Sequence, residues 1–345
     1  MLYAFELSGE HEELPAAEVL ACLKIEELDF QPHTKVDQCL VVDIVGKVED
    51  VEKILKGPIT ERLAMTHHIL KVIGITENTL DAILILTNSF ESSYFIKEGQ
   101  SFVVRAKSIK HHVNFPSNLL EPKIGGFINR KGFQANLTNP DVEFRLILSG
   151  KAVLGTLISS INRSAYEARN PQNKPFFHPG VLVPRVARAI TNLSKIKPGE
   201  FFLDPFCGTA GILIEAGILG ARVIGIDAQE NIVRGACMNL SAFELNYTLV
   251  KGDARMMPFK DGTISAIATD PPYGRSAAIL AESLEDLYSC ALEDIQRVLK
   301  PGGIAVVVSD KDASEYGKQV GLEVLEIYFQ RVHKSLTRRV TIFQK

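Results

Sequence analysis

From residue 199 onward, short apolar runs alternate with longer amphipathic segments. The runs Glu200–Asp204, Arg222–Asp227, Thr248–Lys251, Thr263–Thr269 and Ile304–Ser309 have strand length. The segments 210–219, 229–243, 283–299 and 312–319 carry the 3.6-residue period of helices. Strict alternation of this kind predicts an α/β fold with a doubly wound, mostly parallel sheet. The end of the chain breaks the rhythm. Glu323–Val332 and Thr337–Phe343 both read as strands with only four residues between them, so an antiparallel hairpin closes the sheet.

The first half patterns differently. Leu2–Leu7, Cys39–Val45 and His68–Gly74 read as strands. Pro15–Leu23 reads as an amphipathic helix with proline in its first turn, and Val48–Leu55 as a second helix. The segment from Leu80 to Asn88 fits helix or strand equally well. Ser101–Lys107 alternates as a half-buried strand with its basic residues outward. Leu119–Ile128 reads as a helix carrying Gly125 and Gly126. Asp141–Gly150 and Lys151–Ile158 form a hairpin around Ser149 and Gly150. The polar stretch 156–178, rich in Asn and Pro, reads as a linker before a helix over Val181–Leu193. These patterns give an α+β N-terminal part, divided at 1–55 and 56–155, the linker, and an α/β domain over 179–345.

Composition narrows the function classes. The chain has 345 residues, 46% of them hydrophobic and 23% charged, which suits a globular protein of two or three domains. No apolar run reaches membrane-spanning length, and the first residues lack the basic start of a signal peptide. Five scattered cysteines without CxxC spacing indicate a reducing cytoplasm, no disulfide framework and no zinc or other metal site. A net charge of −3 argues against bulk electrostatic binding of nucleic acid. Even so, Arg105, Lys107, Lys110, Lys123, Arg130 and Lys131 cluster with only Glu121 among them. Such a cluster fits a specific polyanion site; a solvated face accounts for the same charges.

Two strand-to-loop junctions carry the chemistry. The first, Asp204-Pro-Phe206-Cys-Gly208-Thr-Ala-Gly211, is a strand, a glycine turn and a helix start. Gly208 and Gly211 let the turn run tight and bring backbone close to a ligand. The full GxGxxG of nicotinamide enzymes and the GxxxxGK[ST] of P-loops are absent. Asp204 suits the ammonium of an amino-acid-bearing cofactor. Asp227, about twenty residues beyond the glycine turn, sits where an acid bonds ribose hydroxyls. Asp253 and Ala254 follow the third strand. The second junction, Asp270-Pro271-Pro272-Tyr273, ends the fourth strand in a rigid loop. A carboxylate and a main-chain carbonyl, from Asp270 and Pro271, can accept the two N–H bonds of an arylamine and localise its lone pair. Tyr273 offers a ring for a flipped base to stack on.

Both junctions resemble known families. Asp270-Pro-Pro-Tyr273 is similar to the [DN]PP[FYW] loop of methyltransferases acting on exocyclic or amide nitrogens. The terminal hairpin resembles that of Rossmann-like methyltransferases. That likeness implies S-adenosylmethionine as cofactor, with Asp253 and Ala254 at its adenine edge. Phe102–Arg105, Glu121 with Gly125 and Gly126, and Pro140–Leu148 resemble a THUMP domain with a ferredoxin-like companion. That resemblance implies tRNA as partner, with the glycines close to phosphate. Together the modules resemble the tRNA guanine-N2 methyltransferases. Asp rather than Asn at position 270 favours the branch modifying guanosine 10, mono- or dimethylating, over the guanosine-6 branch. The family implies a cytoplasmic location and, for some members, a small zinc-binding activator protein. DNA adenine and protein glutamine methyltransferases share parts of the pattern. From another class, a non-catalytic tRNA-binding protein with a relict methyltransferase fold stays open.

Overall fold

The computed structural model describes residues 1–110, 116, 119–273, 283–333 and 336–345. All statements below concern those residues; Arg275, Ser276, His111 and His112 lie outside them. The chain divides into two compact units. Residues 1–12, 26–61 and 66–162 form the first. Residues 13–25, 62–65 and 163–345 form the second.

The first unit is built on one sheet. Its strands are β1 (Leu2–Leu7), β2 (Asp29–Val36), β3 (Cys39–Val45), β4 (Thr66–Thr76), β5 (Ser101–Ser108), β6 (Gln134–Ala135), β7 (Val142–Leu148) and β8 (Ala152–Ser160). They lie in the order β2-β3-β1-β4-β8-β7-β5-β6. β5 runs parallel to β6 and β7, and the other neighbours are antiparallel. The strand β2 has no counterpart in the sequence reading. It carries Pro32 and is mostly exposed, which an edge strand tolerates because one side needs no ladder donor. The undecided segment is a helix, Leu80–Ser89, whose first turn is capped by the Thr79 hydroxyl accepting from the Ala82 N–H at 3.3 Å. The helix Leu120–Arg130 buries Leu120, Ile124 and Ile128 at i, i+4 and i+8. Gly125 lies inside this helix and faces β5, where an added Cβ would stand 3.8 Å from the Phe102 ring. Its place is helix–sheet packing.

The second unit is the predicted doubly wound sheet. β9 (Phe201–Asp204), β10 (Arg222–Asp227), β11 (Tyr247–Lys251), β12 (Ile264–Thr269), β13 (Leu299–Ser309), β14 (Glu323–His333) and β15 (Leu336–Gln344) lie in the order β11-β10-β9-β12-β13-β15-β14. β11 to β13 are parallel, and β15 and β14 are antiparallel. Strand order reverses between β9 and β12, which opens a crevice at their carboxyl ends.

Two segments belong here that the sequence placed elsewhere. The helix Leu14–Ile25 is buried on nearly every face, not amphipathic, and its Leu14, Ala17 and Ala21 join the second unit's core. Glu18, fully buried in it, accepts from the backbone N–H groups of Ala64 (3.0 Å) and Met65 (2.8 Å) and from Asn192 Nδ2 (2.9 Å). Residues 163–173, read as linker, form short 3₁₀ turns. Arg169 and Arg188 both donate to buried Glu215, at 2.6 and 2.8 Å, and Tyr166 is buried beside them. The stretch is a strap fixed by a desolvated ion cluster.

Candidate active site

A cleft of about 230 Å³ occupies the crevice predicted by the strand order. Asp204, Phe206, Gly208, Gly211, Asp227, Asp253, Ala254 and Asp270 all line it. So do His178, Pro179, Gly180 and Leu182, which lead out of the strap and which the sequence reading did not assign to the site.

The local turn explains how the acids are held. After β9 the chain passes through left-handed backbone at Gly208 (φ 49°) and at Ala210 (φ 65°), and the helix Gly211–Ile218 starts there. The left-handed positions are therefore 208 and 210. Gly211 has ordinary backbone, and an added Cβ would only make a normal contact, 4.0 Å, with Lys174 Nζ.

Asp204 is 1% exposed. Its Oδ1 accepts from Thr269 Oγ1 at 2.7 Å and from the Phe206 N–H at 3.1 Å. Burial pushes its carboxyl up to about 7; those two bonds pull the other way, and the nearby charges of Asp270 and Asp227 add to the rise. Asp227 accepts from the Gln229 N–H (2.9 Å) and the Gly208 N–H (3.2 Å), which ties the second strand end to the first loop. Burial raises it too, against those bonds. Asp253 differs: Arg255 holds it through both oxygens, at 2.7 Å in the shortest contact, and reaches Asp286 at 3.1 Å. The hydrogen bonds from Arg255 hold its carboxyl below the usual range.

Asp270 sits at the end of β12. Its Oδ1 accepts from the Tyr273 hydroxyl, and its Oδ2 lies 3.8 Å from the Arg338 guanidinium on β15. Burial lifts Asp270 to about 6, while Arg338 and the Tyr273 bond hold it down. Tyr273 itself is pushed up by burial and by Asp270, so it is a donor at neutral pH.

A family model described as RMKL-like, methyltransferase domain matches residues 171–339, and a THUMP domain model matches residues 77–155. The tRNA (guanine(10)-N2)-dimethyltransferase of Pyrococcus abyssi (strain GE5 / Orsay) is 35% identical over 347 residues, 99% of each chain. The enzyme of that name from Methanothermobacter thermautotrophicus is 33% identical over 343 residues, 98% of each chain. The chain belongs to the tRNA (guanine(10)-N2)-dimethyltransferase family. In fold it is similar to the crystal structure of TrmN from Thermus thermophilus, with TM-score 0.55 and 20% identity over the whole of both chains.

For a member of this family, the sequence-predicted residues fall into two groups. The acids and loop residues of the second unit converge on one cleft. Pro271 and Tyr273 are the exceptions: Pro271 lines a small apolar cavity beside Thr269 and Leu292, and Tyr273 lies against Asp270 and Arg338. The basic residues of the first unit are only partly available. Lys107 pairs with fully buried Glu6 at 2.6 Å, with Arg145 on the same carboxylate at 3.0 Å. Lys110 pairs with Asp37 at 2.8 Å. Lys131 donates to the Phe90 carbonyl and stands over its ring, and Arg130 stacks 4.4 Å from the Phe127 ring. Arg105 and Lys123 are exposed.

Arg338 is 8% exposed and points at the loop after β12. Lys174, 8% exposed beside Gly211, was also missed. The adjacent pair Arg338 and Arg339 in the strand Leu336–Gln344 was the available signal, since neighbours on a strand point to opposite faces.

The donor set fits S-adenosylmethionine. A buried carboxylate at the first strand end suits an ammonium. A second, at the next strand end, suits hydroxyls. The left-handed turn at Gly208 and Ala210 brings backbone to the cleft wall.

Proposed function

We propose that this chain transfers methyl groups from S-adenosylmethionine to the exocyclic N2 of guanosine 10 in tRNA, giving N2-methylguanosine and then N2,N2-dimethylguanosine. The observation that carries the reading is Asp270, held at the end of β12 on the same cleft wall as Asp204 and Asp227. The cofactor supplies an electrophilic methyl group on a sulfonium. Asp204 holds its ammonium, Asp227 its ribose hydroxyls, and Phe206, Gly208, Gly211, Asp253 and Ala254 complete the wall.

Asp270 does the work on the base. The guanine amine is a poor nucleophile because its lone pair is delocalised into the ring. An ionised Asp270 and the Pro271 carbonyl accept its N–H bonds, draw the lone pair out of conjugation and fix its direction. Asp270 then takes the proton released on transfer. The Tyr273 ring stacks on the extruded base. Once one methyl is attached, a single N–H is left for Asp270, which still allows the second transfer.

The first unit contributes tRNA binding through Arg105, Lys123, Arg130 and Lys131, with Lys107 and Lys110 tempered by their acids. As part of the same proposal, the chain works in the cytoplasm.

Radiolabelled methyl transfer to an unmodified tRNA transcript, followed by nucleoside mapping, tests the reading. The expected label is at position 10 alone. Label at position 6, on adenine or on protein would replace the reading, and no transfer would favour a relict binding protein. Turnover by the purified chain alone would dispense with a zinc-binding activator; turnover only when one is added would establish it as a partner.

A further inference from the structure

Arg338 stands on the closing hairpin, remote in sequence from the catalytic loop, yet three contacts join them. Its Nε donates to the Tyr273 hydroxyl at 3.1 Å, its guanidinium lies 3.8 Å from Asp270 Oδ2, and the same group stands 5.9 Å from the Tyr273 ring centroid. The Tyr273 hydroxyl in turn donates to Asp270 Oδ1. Both oxygens of Asp270 therefore face donors supplied by the protein. A buried guanidinium is strongly disfavoured without a counter-charge, so the hairpin and the loop need each other.

We propose that Arg338 is a positioning residue for methyl transfer: with Tyr273 it holds Asp270 oriented and ionised in the empty cleft, and the N2 amine of the incoming base displaces the Tyr273 hydroxyl from Oδ1. This rests on the functional reading above. One N–H of the amine takes the place of the hydroxyl on Oδ1, and the other goes to the Pro271 carbonyl. The hydroxyl acts as a stand-in that keeps the carboxylate aligned until the base arrives. Freed from Asp270, the Tyr273 ring is available to the base, while Arg338 retains the carboxylate from the far side.

The charged and titratable groups around Asp270 make the effect readable. Among the described residues they are Tyr273 on its own loop, Arg338 on β15, Asp204 at the end of β9, and Tyr288 on the helix Leu284–Val298. Arg338 is the only cation in that set, so its loss makes ionisation of Asp270 harder.

The test is the pH profile of kcat on tRNA for wild type, Arg338→Gln and Arg338→Lys, with S-adenosylhomocysteine binding measured by calorimetry. Arg338→Gln is expected to lose about tenfold or more in kcat and to move the acid limb upward by about 1–3 pH units. Arg338→Lys is expected to return the limb toward wild type while recovering only part of kcat, because a lysine cannot serve loop oxygen and carboxylate in one plane. S-adenosylhomocysteine binding is expected to be unchanged in both. Wild-type kcat and limb in Arg338→Gln would overturn the proposal. So would joint loss of S-adenosylhomocysteine binding and activity in both variants, the pattern of a purely structural arginine. If wild type methylates another nucleotide, the functional reading fails, but the limb can still be read on that transfer.

Discussion

Asp204 and Asp270 end neighbouring strands of one sheet and meet burial in opposite ways. Asp204 is stabilised by neutral donors close at hand, a threonine hydroxyl and a backbone N–H, and its carboxyl rises to about 7. Asp270 is held by an arginine from a distant strand and by a tyrosine, both of which work against the rise that burial imposes. The difference matches the two tasks proposed for them. A carboxylate that receives an ammonium gains its cation from the ligand. A carboxylate that must polarise a neutral amine has to be ionised beforehand, so the protein supplies the cation itself.

The largest expected effect breaks the contrast on the Asp270 side. Asp270→Asn should keep cofactor binding and lower turnover by about 10²–10³-fold, measured by single-turnover methyl transfer. In wild type, the sign follows from the raised acid: turnover should climb as pH rises through about 6, when Asp270 ionises, and level off above. Next comes Asp204→Asn, expected to weaken S-adenosylhomocysteine by roughly 10- to 100-fold in calorimetry while keeping tRNA affinity. A milder change sharpens the point. Thr269→Val removes one neutral donor from Asp204, and about 1 kcal/mol of cofactor affinity should go with it. The smallest effects lie in the first unit, where the same distinction separates its cations. Lys123 is exposed and pairs with no acid among the described residues, whereas Lys110 already faces Asp37. Lys123→Ala should raise the KM for tRNA and flatten its salt dependence by a slope of about 1. Lys110→Ala should change both less.

Much of this was legible in the chain. The strands β9, β10, β12 and β13 announce themselves by apolar runs with acids or turns at their ends, because a strand buried on both faces leaves little choice of residue. Asp204, Asp227 and Asp270 were legible for the same reason: each interrupts an apolar run where the sheet opens to ligand. What stayed hidden depends on long-range packing. Pro32 disguises β2, since only its edge position makes proline acceptable there. The helix Leu14–Ile25 follows β1 in sequence, but its core lies with the second unit. A deletion of residues 1–155 would therefore strip Glu18 and Leu14 from the methyltransferase core, so the contribution of the first unit is better tested by surface substitution. The adjacent arginines of β15 hint that one points inward, but what Arg338 meets stayed hidden, because pattern alone does not pair β15 with the loop after β12.

The central claim is that Asp270 acts on the 2-amino group of guanosine 10. It is tested most directly with a tRNA transcript carrying inosine at position 10, which keeps the base's shape and stacking but lacks the amine. Methyl transfer to the guanosine-10 transcript and none to the inosine-10 transcript, at equal tRNA affinity, is the predicted result. Comparable transfer to both would contradict it.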